Sequence, residues 1–172
     1  GPAGYALVAS VDIPDYGVWL SNNPGLGSHI AFNVLDRKPP TNFDVWRRGG
    51  PTGGYQAGSI STGVGVALGR CRTTASEAVL EKFRKPTGAD PLVVSTAQPL
   101  DASSIRVTVV ARVTSTSTVE IGMLVTDLYS GATIVPFTAV AESDNTADFG
   151  LGVSLIVVGY NVVGSPTFQN VT

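Results

Sequence analysis

Between residues 105 and 126 apolar and polar side chains alternate with a period of two. Ile105, Val107, Val109, Ala111 and Val113 fall on one side; Arg106, Thr108, Arg112 and Thr114 fall on the other, with Val110 the one exception. After a Ser-Thr-Ser-Thr run the alternation resumes with Val119, Ile121, Met123 and Val125 against Glu120, Gly122 and Thr126. Successive side chains of a strand point to opposite faces, so this pattern predicts a half-buried antiparallel hairpin. Its Arg106, Arg112 and Glu120 face is expected outside.

Similar but weaker patterns predict strands over 4–13, 29–35, 59–69, 92–96, 133–140 and 151–163. In 29–35, Ile30, Phe32 and Val34 share a face; 59–69 is weakened by Gly63 and Gly65. The last run is apolar on both faces from Leu151 to Val158, which places it centrally in a sheet. Tyr129-Ser-Gly-Ala132 fits a hairpin turn with Gly131 left-handed. Pro14-Asp15-Tyr16-Gly17 ends the first strand, and Val18-Trp19-Leu20 reads as a short strand. One helix is expected at about 75–85: Thr74 and Glu77 form a capping box, Val79, Leu80 and Phe83 follow at helical spacing, and Pro86 with Gly88 ends it. The stretch 36–58, with three prolines and five glycines around Trp46 and Tyr55, is too long for a plain connection and reads as a functional or packed surface loop.

Strands at this spacing with one short helix predict an all-β fold, an antiparallel β-sandwich or jelly roll, in a single domain spanning 1–172. Composition agrees: 172 residues carry only 14% charged side chains with 20 Gly and 11 Pro, a loop-rich β profile. A chain of this length holds a core without metal or disulfide. The single Cys71 excludes an internal disulfide, and no apolar run is long enough to span a bilayer. Gly1-Pro2 is expected to be a cleavage scar.

Charge is uneven beneath the net −2. Nine of the eleven Lys and Arg lie in 37–85, and the second half is acidic. The basic residues are dispersed among Pro and Gly, so solvated loops are the expectation and nucleic-acid binding is not.

Candidate chemistry is thin. His29 is the only histidine, beside Ser28 with Asp36 and Asp44 downstream. A hydrolytic triad needs serine, imidazole and carboxylate in hydrogen-bond sequence, and neighbours on a strand point apart. Ser59 and Ser61 lack the G-x-S-x-G elbow. Gly63-x-Gly65-x-x-x-Gly69 sits inside an alternating strand, which excludes a dinucleotide turn. One His and one Cys exclude a standard zinc site, and Glu142, Asp144 and Asp148 read as a solvated turn rather than a calcium loop. Cys71, flanked by Arg70 and Arg72, reads as an ordinary small residue, and Asn170-Val-Thr172 matches a glycosylation acceptor. No enzyme activity, metal or cofactor is expected. The remaining candidates are the aromatics of the first third, Tyr16, Trp19, Phe43, Trp46 and Tyr55, as ligand- or receptor-binding side chains on loops; plugging the end of the sandwich is the competing role.

The V/T/S-rich strands at 105–126 and 150–163, with the Pro/Gly-rich loop at 36–58 and the short helix expected at 75–85 between strands, resemble capsid-type β domains of small RNA viruses, either a jelly-roll subunit or the projecting domain upon it. The resemblance implies a non-enzymatic virion protein that self-associates as a homo-oligomer, contacts other capsid subunits and presents loops 16–27 and 39–56 to a host receptor or glycan. The lack of a basic N-terminal arm favours a projecting domain or a processed subunit. The alternative is a carbohydrate- or receptor-binding sandwich of a phage or secreted adhesin that stacks ligand on Trp19, Trp46 and Tyr55.

Overall fold

In the computed structural model, which describes residues 4, 6–35, 48–49, 54–55, 62–71, 73–84, 94–115, 118–142, 153–158 and 162–172, the expected hairpin is the centre of one sheet. Strands β8 (Ile105–Ser115) and β9 (Thr118–Asp127) pair antiparallel. Along β8 the odd residues from Ile105 to Val113 are buried, while Arg106, Arg112 and Thr114 are exposed. β1 (Ala6–Ile13) pairs with β8, and β10 (Thr133–Glu142) with β9, giving the order β1-β8-β9-β10.

The second sheet has the order β11-β2-β5-β6-β7, from β2 (His29–Leu35), β5 (Thr62–Gly69), β6 (Glu77–Arg84), β7 (Val94–Pro99) and β11 (Val153–Val158). A two-residue ladder joins β3 (Arg48–Gly49) and β4 (Gly54–Tyr55). All pairings are antiparallel. After β10 the chain returns to lay β11 beside β2, the Greek-key return. The inner faces meet in one core, in which Ile30, Phe32, Val66 and Leu80 of one sheet join Val107 and Met123 of the other. Burying large aliphatic side chains is worth roughly 1.5–3 kcal/mol each, so this core is the main source of stability. The fold is the expected all-β sandwich.

Three local expectations are corrected. The stretch expected as helix 75–85 is strand β6, paired on both edges with β5 and β7. Ala78, Val79 and Leu80 are all fully buried there, and two ladders plus burial on both faces outweigh a local capping pattern. Thr74 offers its carbonyl to the Arg70 guanidinium instead. The one helix among the described residues, α1 (Tyr16–Asn22), replaces the expected strand at Val18–Leu20. Tyr16, Trp19 and Leu20 are its buried residues, the i, i+3, i+4 stripe of a helix face. Finally, among the described residues β11 stands at the end of its sheet with β2 as its partner; an apolar run by itself does not say how many strands flank it.

The end of the tail, from Gln169 to Thr172, runs along β1. Asp12 and Gln169 exchange two backbone bonds of 2.9 Å, as do Ser10 and Thr172 at 3.0 Å. One extra tail residue is accommodated by Asn170, whose φ of 49° supplies the left-handed kink of a β-bulge.

Candidate functional site

The five aromatics expected to bind a ligand or receptor are Tyr16, Trp19, Phe43, Trp46 and Tyr55. Tyr16 is fully buried, and its hydroxyl lies 3.0 Å from Ser76 Oγ. Burial pushes its phenol pKa well up. Trp19 is 4% exposed, with its indole N–H donating to the Gly164 carbonyl at 3.3 Å. Both side chains plug the sandwich where α1 crosses its end, so neither is an exposed platform. Asn23 completes this closure: its amide donates to the Trp19 and Val163 carbonyls, and its Oδ1 accepts from Val163 N–H at 2.7 Å. Phe43 and Trp46 lie outside the described residues, as do Asp36, Asp44, Ser59, Ser61, Asp144 and Asp148. Tyr55 closes the β3–β4 ladder opposite Arg48.

His29 is 1% exposed, and its Nδ1 lies 2.6 Å from the Gly27 carbonyl. Ser28 is buried as well, its backbone engaged with Arg70 and Gly25. The two residues belong to a packed corner where β2 begins. Gly69, opposite His29, has a φ of 131°, and a Cβ there would come within 2.6 Å of the Ser28 carbonyl oxygen. Arg70 ties this corner to the helix, donating from Nε to the Asn23 carbonyl at 3.1 Å. Cys71 is buried beside it. Among the described residues, no three His, Cys, Asp or Glu side chains gather as a metal would require.

What the structure does expose is the outer face of the β1-β8-β9-β10 sheet. Val8 lies opposite Val110, Val110 opposite Gly122, and Gly122 opposite Ala139, forming one row across four strands. Val8 is 60% exposed. Phe137, 54% exposed, lays its ring on Gly122 in the space a Cβ would occupy. Leu124, one row away opposite Thr108, is half-buried. An ion pair bounds the apolar centre at each end. At one, Arg112 reaches Glu120 at 2.8 Å. At the other, Arg106 grips Asp12 with two parallel bonds from its Nε and Nη2, at 2.6 and 2.9 Å, and Asn170 adds a third donor at 2.8 Å. The Arg106 bonds, then the Asn170 bond, hold the Asp12 carboxyl below its ordinary pKa.

No protein family, curated protein or solved structure matches this chain. Its function is therefore argued from its own surface.

Sequence reasoning named none of this row as a site, although two signals were present. Val110 broke the polar face of β8, and an isolated glycine in a strand, here Gly122, marks close approach of another group. Phe137 gave no signal, because alternation puts it with the buried Val135. Register shifts between Val135 and Thr138 turn it outward. The hairpin tip Tyr129, 78% exposed, is a second outward aromatic. It is carried by a turn that the Asp127 carboxylate closes by accepting from the Tyr129 and Ser130 N–H groups. No described helix is long and apolar enough to cross a membrane.

Proposed function

We propose that this chain is a non-enzymatic structural domain, the surface or projecting β-sandwich of a small-virus capsid, which acts by presenting surfaces to copies of itself, to other subunits and to the host. One observation carries the reading: Val8, Val110 and Phe137 share the outer face of one sheet between two ion pairs. A continuous apolar patch with a polar rim is the mark of a protein-binding surface. Burial of His29, Ser28 and Cys71 supports a scaffold role for the residue types that would carry chemistry. Burial of Tyr16 and Trp19 counts against aromatic stacking of a glycan at those two positions. Tyr129 at its hairpin tip is the described side chain best placed to meet a receptor.

The test is expression of the parent reading frame, followed by electron microscopy with an antibody against this domain. Regular particles decorated on their outer surface are expected. A product that forms no particles, or particles in which the domain is inaccessible, overturns the proposal.

A further inference from the structure

We infer that the outer face of the four-stranded sheet binds the same face of a second copy, about a two-fold axis parallel to the strands and lying between β8 and β9. The inference rests on the structural reading above and names the partner of that surface.

A face-to-face homodimer must be self-complementary, residue i meeting j while j meets i. An axis along the strands, between the two central ones, lays β8 of one copy over β9 of the other and β1 over β10. Each row of the sheet then meets its own reverse. In the row Arg112–Glu120, each Arg112 comes over the other copy's Glu120. In the row Val110–Gly122, Val110 comes over the Phe137 ring that covers the other copy's Gly122. At the flanks Val8 of β1 comes over β10, which carries Phe137. Charge meets opposite charge, and apolar side chain meets apolar ring. An axis across the strands fails this match: residues 106 and 112 lie equally far from Val109 along β8, so it would bring Arg106 over Arg112. Two sheets stacking with aligned strands repeat the packing that already joins the two sheets of this sandwich.

The footprint sets the strength. Four strands about 4.8 Å apart, over six residues at about 3.4 Å each, give a face of roughly 20 by 20 Å. Both copies together bury on the order of 800–1,000 Å², below the usual size of a stable specific interface. The contact is therefore weak and reversible in the isolated domain, and it gains effect where many copies are held together.

Sedimentation velocity on the whole chain tests this, from about 10 μM to about 1 mM, the range in which so small an interface should half-associate. Concentration-dependent dimer is expected for the wild type. Val110→Asp should stay monomeric at every concentration and still melt as a folded domain, because the half-buried residue 110 lies on the outer face and not in the core. Arg112→Glu and Glu120→Arg should each be monomeric alone, since each homodimer would oppose like charges twice. Mixed one to one they should associate, because the two acidic side chains at positions 112 and 120 of the first variant then lie over the two basic ones of the second. Circular dichroism melts of both variants confirm folding, and a merely intrachain role for the pair would give no rescue on mixing. A monomeric wild type at about 1 mM, a dimer that survives Val110→Asp, or a mixture that stays monomeric overturns the inference. Particles without this dimer would refute the inference alone; a dimer without particles would refute the capsid reading alone.

Discussion

Tyr16 separates a core plug from a binding platform, and the difference is large enough to measure. Its ring is fully buried among core residues, with the hydroxyl on Ser76 Oγ. A buried tyrosine removes roughly 150–250 Å² from water, which at about 25 cal/mol per Å² is worth about 4–6 kcal/mol as an upper bound. Truncating large core aromatics to alanine loses about 3–5 kcal/mol. Tyr16→Ala is therefore expected to destabilise by about 4 kcal/mol, and Tyr16→Phe by about 1 kcal/mol for the single neutral hydrogen bond.

For a domain of this length each kcal/mol lowers Tm by about 2–4 °C, so alanine should lower it by about 8–16 °C and phenylalanine by no more than about 4 °C. Urea unfolding followed by circular dichroism at fixed m-value measures both. The two-variant series matters because it divides ring packing from hydrogen bonding. An alanine variant within about 1 kcal/mol of wild type would refute the argument, since ring burial cannot be that cheap. The raised phenol pKa gives an independent check. The unfolded chain releases this proton above about pH 10 while the folded chain keeps it, so stability falls as pH rises beyond that point. Absorbance titration at about 295 nm should show Tyr16 silent until the protein unfolds.

Other perturbations follow from the same contacts. Asp12 and Asp127 have folded-state pKa values below the ordinary carboxylate range, the first through Arg106 and Asn170, the second through the Ser130 N–H and hydroxyl. Their stabilisation is present above the unfolded value of about 3.9 and is lost as pH falls through the folded values. The urea midpoint should drop between pH 5 and 3, and Asp12→Asn should flatten that slope; an unchanged slope would remove Asp12 from the account. Gly69→Ala should cost about 3 kcal/mol in a thermal melt, because both the positive φ and the Ser28 carbonyl oppose a Cβ; a loss under about 1 kcal/mol would contradict the corner geometry. Asn170→Ala places a β-carbon residue without a local hydrogen bond in the left-handed region, at about 1–2 kcal/mol. Amide exchange at Gln169 and Thr172 should accelerate about tenfold, with Asn170→Gly intermediate; exchange at the wild-type rate would show that the bulge does not anchor the tail.

Much of the scaffold was legible because its signals are local. Ile105–Val113 and Val119–Val125 state their face in every second residue, and β2 was bounded by the same logic. Gly131 takes the expected left-handed φ, 73°. The failures share one cause. Glu77–Arg84 carries a helix signal in its own neighbours, but its state is set by residues 62–69 and 94–99, which no window along the chain sees together. Tyr16–Asn22 makes only two turns, too few for a period to declare itself. The candidate site suffered doubly. Aromatics in a Gly/Pro-rich segment read as exposed, whereas the helix turns Tyr16 and Trp19 inward. The face that is exposed depends on which residue of each strand sits beside which, and on a bulge that moves Phe137 out of step.

Sheet edges decide how this surface can be used. An open edge offers unpaired backbone groups to any extended chain, and natural sheets blunt it. Here the tail occupies β1 from Ser10 to Asp12, held by four backbone bonds and by the Asp15 carboxylate, which accepts from the Thr167 N–H and hydroxyl at 2.8 Å. On the opposite edge β10 carries Pro136, which has no N–H to donate, within a stretch of shifted register. Both devices discourage lateral pairing while leaving the face untouched. A sheet that protects its edges and carries Val8, Val110 and Phe137 on its outer face is arranged for contact through side chains, where the crossed Arg112–Glu120 pairs of the proposed dimer would select one partner. Backbone pairing along an edge would accept almost any strand; the face can require a copy of itself.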